Sequence, residues 1–165
     1  MTSADFIPDC ANCTALCCIA FAFDKGEQFA HSKDAGEPCK NLNHHLCSIH
    51  SDLDKRGYSG CTAYTCLGAG QRVTAMFGQS WQDQPKLTAP IINAFRTMKD
   101  IQELRQLLEA SASLSLPAIQ SGERTAWLDA LSGNWTRESL DQFDRSRTSA
   151  SIRVWLRGLA AYLPR

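Results

Sequence analysis

A chain of 165 residues, 44% hydrophobic and 21% charged, has the make-up of an ordinary globular protein long enough to bury a core without covalent cross-links. Its seventeen basic and seventeen acidic residues cancel, which removes bulk charge as a means of holding a polyanion. No apolar run approaches the ~18–20 residues that span a bilayer, so no membrane partner is expected.

The opening segment, Met1 to Cys10, has neither a basic stretch nor an apolar one and does not read as a secretory signal. The chain is therefore expected in the reducing cytoplasm, where clustered cysteines more often bind metal than form disulfides. Four disulfides would require export by another route. Residues 1–66 carry five Lys/Arg against eight Asp/Glu and hold all eight cysteines. A nucleic-acid zinc finger surrounds its ligands with basic residues; this acidic setting disfavours nucleic acid.

Residues 10–66 read as loops and short turns, punctuated by Gly26, Gly36, Pro38, Gly57 and Gly60. The exception is Ala11 to Phe23, apolar enough for a short helix or strand behind the first cysteines. A segment of this kind closes no core by itself, a deficit that bound metal remedies. Within it the spacing is Cys10-x2-Cys13-x3-Cys17-Cys18, Cys39-x7-Cys47 and Cys61-x4-Cys66. Two residues between cysteines let the backbone fold so that both sulfurs reach one ion. Eight thiolates suit two four-coordinate zinc ions, or an iron–sulfur cluster held by four of them. Side chains of neighbouring residues diverge, so the pair Cys17 and Cys18 favours a polynuclear site or two separate centres.

The runs CANCTALCC, EPCKNL, LCSIH and RGYSGCTAYTCLGAGQRV resemble the CxxCxxCC cysteine-cluster proteins of YkgJ type, described as zinc- or iron-chelating. The last of these runs is especially similar to the cysteine module found ahead of pentapeptide repeats in bacterial proteins. The resemblance covers about residues 9–78 and implies that Cys10, Cys13, Cys17, Cys18, Cys39, Cys47, Cys61 and Cys66 are the metal ligands. Flagellin lysine N-methylases carry a similar cluster, read there as an iron–sulfur centre. This chain departs in having three residues between Cys13 and Cys17, and no pentapeptide repeat follows, so it is expected to act alone or in trans.

His50 stands at Cys47-x2-His50, a spacing at which imidazole can ligate; the resembling family often has Tyr there, which points to a role outside the ligand set. His31, His44 and His45 are expected in solvent. Gly68-Ala69-Gly70 lacks the further residues of a phosphate loop and reads as backbone near the metal site or as a hinge.

Beyond Cys66 the glycines at 68, 70 and 78 mark a mobile connection, and helical signals follow. Ile91, Phe95, Met98, Ile101, Leu104 and Leu108 step by three or four residues, with Thr88 as N-cap and Pro90 in the first turn. Ser121 is expected to cap a shorter helix through Trp127, Leu128 and Leu131, ended by Gly133. Thr136 is expected to cap a long last one with Ile152, Trp155, Leu156, Leu159 and Leu163 as its stripe and Pro164 at its end. The expected fold is mainly α: a loop-rich cysteine module over residues 1–78, packed on an antiparallel helical bundle over residues 79–165. Arg145, Arg147, Arg153 and Arg157 give the last helix a basic side, either a solvated face or a docking surface for an acidic partner. The expected function is a metal-binding protein, with an iron–sulfur cluster in a redox or accessory role toward a partner enzyme or peptide. The alternatives are a structural zinc module for protein interaction and a thiolate metal buffer.

Overall fold

The computed structural model describes residues 3–163. It is mainly helical, with short elements through residue 66 and long helices after residue 88. Among the described residues seven α-helices run α1 (Leu16–Ala20), α2 (Ser59–Ala63), α3 (Ala69–Phe77), α4 (Thr88–Ala110), α5 (Ala118–Leu131), α6 (Arg137–Arg145) and α7 (Thr148–Gly158). The only sheet among the described residues is the antiparallel pair β1 (Leu42–Asn43) and β2 (Leu46–Cys47), in register Leu42 to Cys47. Its two-residue turn carries His44 with φ +53°.

Contacts divide the chain into two units, Met1–Lys99 and Asp100–Arg165. The division falls inside α4, later than the expected boundary at residue 78. The reason is that α3 and the first half of α4 supply the core that the cysteine loops lack. Leu16, Ile19 and Ala20 of α1 are buried together with Val73 and Phe77 of α3 and Ile91, Ile92 and Phe95 of α4. The Phe21 and Phe95 rings lie 5.8 Å apart, and the Arg96 guanidinium donates to the Ala20 carbonyl at 2.9 Å. Residues 68–78 are thus no mobile connection. Gly68 opens α3 at φ +77° and Gly78 closes it at φ +64°, left-handed positions that glycine adopts without strain.

In the second unit, Ile101, Leu104 and Leu108 of α4 are buried, as are Leu131, Leu140, Phe143, Ile152 and Leu159. Arg105 is buried and donates to Gln102 at 2.6 Å. The apolar stripe expected on the first long helix is present in full, but Thr88 lies inside that helix after a 3-10 turn, Pro85–Leu87, rather than capping it. The next helix, α5, starts after Pro117, so Ser121 is interior. Thr136 does cap α6, in a capping box with Ser139. The single long last helix is two helices. Ser146 is extended (ψ 167°) and its hydroxyl accepts the Thr148 N–H at 3.2 Å, so a new helix starts where the old one would continue. Leu163 is exposed and Trp155 and Leu156 are half-buried; Pro164 lies outside the described residues. Arg153 is held by Asp100, which also accepts from Ser149 at 2.6 Å, so the basic side is in part internally paired.

Among the described residues no helix is long and apolar enough to cross a membrane.

Candidate metal centre

The eight cysteines come from short elements and the loops between them. Cys10 begins a 3-10 turn, Cys10–Asn12, whose N-cap Asp9 accepts from the Asn12 N–H at 3.3 Å and the Asn12 side chain at 2.7 Å. The side-chain bond from Asn12 holds the Asp9 carboxyl below its ordinary range. Ahead of this turn, Gln71 of α3 accepts the Asp9 N–H at 3.2 Å and donates to the Ile7 carbonyl at 2.9 Å. Just after Cys13, the Thr14 N–H donates to Thr74 at 3.1 Å and the Thr14 carbonyl accepts the Trp81 indole N–H at 2.7 Å. Both backbone polar groups of that residue are thereby locked, which leaves Cys13 little freedom.

Cys17 and Cys18 occupy the first turn of α1, entered through Ala15 at φ +57°. The Cys39 N–H donates to the Cys18 carbonyl at 3.0 Å, which brings the third segment against α1. Cys47 ends β2. Cys61 lies in α2, where the Phe29 ring presses on Gly60 so closely that a Cβ there would fall 2.3 Å from it. Cys66 precedes two consecutive left-handed residues, Leu67 (φ +51°) and Gly68 (φ +77°). Non-glycine residues at positive φ cost about 1–3 kcal/mol each and gather at functional sites. Here Leu67 directly follows Cys66, and Ala15 stands midway between Cys13 and Cys17.

Cys10, Cys13, Cys17 and Cys66 line one small cavity of about 20 Å³, with Gly70 in its wall. That volume admits roughly one water-sized atom. Gly70 is there because nothing larger fits: a Cβ on it would lie 2.7 Å from Cys13 Sγ and 3.8 Å from Cys66 Sγ. Of the stretch expected as backbone near the metal site or as a hinge, Gly70 lies against the Cys13 and Cys66 sulfurs. Cys17 joins this group to the others. Its sulfur lies 4.0 Å from Cys18 Sγ, so the expected divergence of the two side chains does not occur. The separation is close to the ~3.8 Å sulfur–sulfur edge of a tetrahedral zinc–thiolate site.

The electrostatics link the remaining thiols. Burial, then the neighbouring Cys17, Cys13 and Cys66, raise Cys10; burial, and then in part Cys17, raises Cys13. Burial raises Cys47, with Cys39, Cys17 and Cys10 adding to it, and pushes Cys61 up to about 11, with Cys17, Cys39 and Cys47 adding. Cys17 is raised by its hydrogen bond with Cys18 and by burial. None of the eight forms a disulfide. As the side chains stand, no three or more Cys, His, Asp or Glu among the described residues are gathered closely enough to hold a single ion. In kind, free thiols are donors that a thiolate-bound metal takes.

These shifts make a pH prediction for the metal-free chain. A thiol raised in the folded state holds its proton there longer than in the unfolded chain, so its contribution to stability is complete below an unfolded value near 9.0 and disappears as pH rises through the folded value. The melting temperature of metal-free protein is expected to fall between about pH 9 and about pH 11 more steeply than that of a Cys61→Ser variant. Parallel slopes for the two proteins would contradict it.

The histidines are placed differently from expectation in one case. His44, His45 and His50 are exposed. His31 is half-buried, bonded through Nδ1 to the Tyr58 hydroxyl at 2.9 Å and edge-on to Phe23. His50 faces not the four-cysteine cavity but a separate open cleft of about 410 Å³, lined also by Asp52, Lys55, Cys61 and Tyr64. Three residues that sequence reasoning passed over shape the site: Gln71, Thr74 and Trp81. Hydrogen-bonding side chains on and just after α3, amid the buried Val73 and Phe77 of the same stretch, are the signal that could have found them.

The chain is 34% identical over 158 residues to the uncharacterized protein YybG of Bacillus subtilis (strain 168). The match takes in 92% of this chain, so it runs through the cysteine segment and most of the helices after it, and the chain spans about 56% of that relative's length. No protein-family model matches, and no solved structure matches significantly.

Proposed function

We propose that this chain is a metal–thiolate protein of the CxxCxxCC type whose first unit holds an iron–sulfur cluster, in a redox or accessory role toward a protein or peptide partner. The observation that carries the reading is the cavity lined by Cys10, Cys13, Cys17 and Cys66, which come from separate stretches of the chain, beside the 4.0 Å approach of Cys17 Sγ to Cys18 Sγ. A cluster takes four cysteine thiolates. Cys10, Cys13, Cys17 and Cys66 would hold it, with Cys18, Cys39, Cys47 and Cys61 serving a second centre. Bound there, a cluster supplies one-electron transfer. The chain's own part is to fix the thiols and to wall the cavity with Gly70 and Phe95; a reducing compartment keeps the thiols free.

A second reading, a structural zinc site, is favoured by one specific observation. The cavity of about 20 Å³ suits a single ion better than a cluster. Optical spectra separate the two, since a cluster colours the protein and zinc is silent. Under either reading, Cys17→Ser and Cys18→Ser are each expected to lower metal per chain while the far-ultraviolet helical signal persists. Full metal content in either variant would remove that residue from the ligand set and reduce it to a packed thiol.

A further inference from the structure

Of the five cationic residues in the cysteine segment, four lie at the surface and one does not: Lys33 is 6% exposed. Burying a lone ammonium is unfavourable by several kcal/mol unless partners meet it. Two of its protons are accounted for by backbone carbonyls, Asp34 at 2.8 Å and Glu37 at 2.7 Å. Its ammonium also lies 5.7 Å from the Phe23 ring centroid, a cation–π distance.

The segment it clamps leads straight to a cysteine. Glu37 is two residues before Cys39, whose N–H bonds to the Cys18 carbonyl at 3.0 Å, and the Gly36 N–H bonds to the Ile19 carbonyl at 2.8 Å. Lys33 therefore stands behind the joint between Cys39 and α1. Burial acts to lower its pKa, and Cys39, then Cys18, are the largest influences acting to raise it, ahead of Glu37 and Asp34. Those two carboxylate residues are exposed and are screened by water. Cys18 and Cys39 are half-buried, so a charge they acquire on binding metal is screened less.

The segment needs a positive charge at that place. Residues 1–66 have three more acidic than basic residues, and four thiolates on a divalent ion add two further negative charges in a partly dry setting. We propose that Lys33 is the internal counter-cation of the thiolate centre: a positioning residue that holds Cys39 against Cys18 and offsets the charge the two acquire when they bind metal. This rests on the metal–thiolate reading above.

The test is a titration of the reduced, metal-stripped full chain with cobalt(II), whose thiolate charge-transfer bands report binding directly. Lys33→Arg keeps the charge, Lys33→Gln keeps a hydrogen-bond donor without charge, and Lys33→Met keeps only length. Arg is expected to bind cobalt within about twofold of wild type, and Gln and Met about tenfold more weakly, the scale of losing one favourable charge interaction at intermediate dielectric. Equal affinity in wild type and Gln would overturn the counter-cation role, and so would a loss in Arg as large as that in Met. Should Met not fold, the Arg and Gln pair decides alone. Absence of cobalt bands in wild type would overturn the metal–thiolate reading and this inference with it, an outcome distinct from bands unchanged by the substitutions.

Discussion

Gly70→Ala is expected to reduce metal bound per chain to roughly half or less, with the helices of the second unit intact. A Cβ there would stand 2.7 Å from Cys13 Sγ, well inside the separation at which packed atoms settle. Either the sulfur swings away or α3 moves. The sulfur has little room, because Thr14, the next residue, is held at its N–H by Thr74 and at its carbonyl by Trp81. Moving α3 would break the two Gln71 bonds to Asp9 and Ile7, disturbing Cys10 as well. Gly122 is the control: it lies in α5 with nothing within 4 Å of a new Cβ, so Gly122→Ala should stabilise by up to about 1 kcal/mol and leave metal content unchanged. Metal-to-protein ratios of the two variants decide the matter. A Gly70→Ala protein with full metal would show that Cys13 does not ligate.

Metal removal is expected to produce the other large effect, a loss of amide protection confined to residues 10–66. Among residues 21–66 the regular structure is a two-residue strand pair, two 3-10 turns and α2, and the buried apolar side chains there are Ile49 and Tyr58. Few buried contacts and short ladders place a region at the low end of local stability. The second unit instead buries Ile101, Leu104, Leu108, Leu131, Leu140 and Ile152 at 1% exposure or less. Hydrogen exchange on chelated, reduced protein should accelerate by at least about a hundredfold in the cysteine segment, a local opening eased by roughly 3 kcal/mol, and change little beyond Asp100. Protection retained throughout residues 10–66 would mean that the loops are held by their own packing.

What could be read from the sequence follows how local its cause is. The stripe from Ile91 to Leu108 depends only on helical periodicity, and all six of its residues are buried. Thr136 was legible because a capping side chain acts within one turn. The break at Ser146 was not, because the apolar stripe resumes at Ile152 as though nothing intervened, and a serine that restarts a helix looks like one inside it. The boundary inside α4 was hidden for a different reason. Which half of a periodic helix faces which core is decided by distant partners such as Phe21 and Ala20. At the site, cysteine spacing identified the donors and Gly68-Ala69-Gly70 marked close backbone. The grouping around one cavity, the 4.0 Å approach of Cys17 to Cys18 and the burial of Lys33 all come from tertiary folding, and spacing carries no trace of them.

Under the present account the thiols are ligands, and the most direct measurement is the elemental and acid-labile sulfide content of the full chain purified without oxygen, read beside the number of thiols that react at once. The account predicts metal bound at one or more equivalents per chain, iron with sulfide in the leading reading, and most of the eight cysteines silent until the metal is stripped. Eight thiols reacting immediately in a chain free of iron, zinc and sulfide would contradict it.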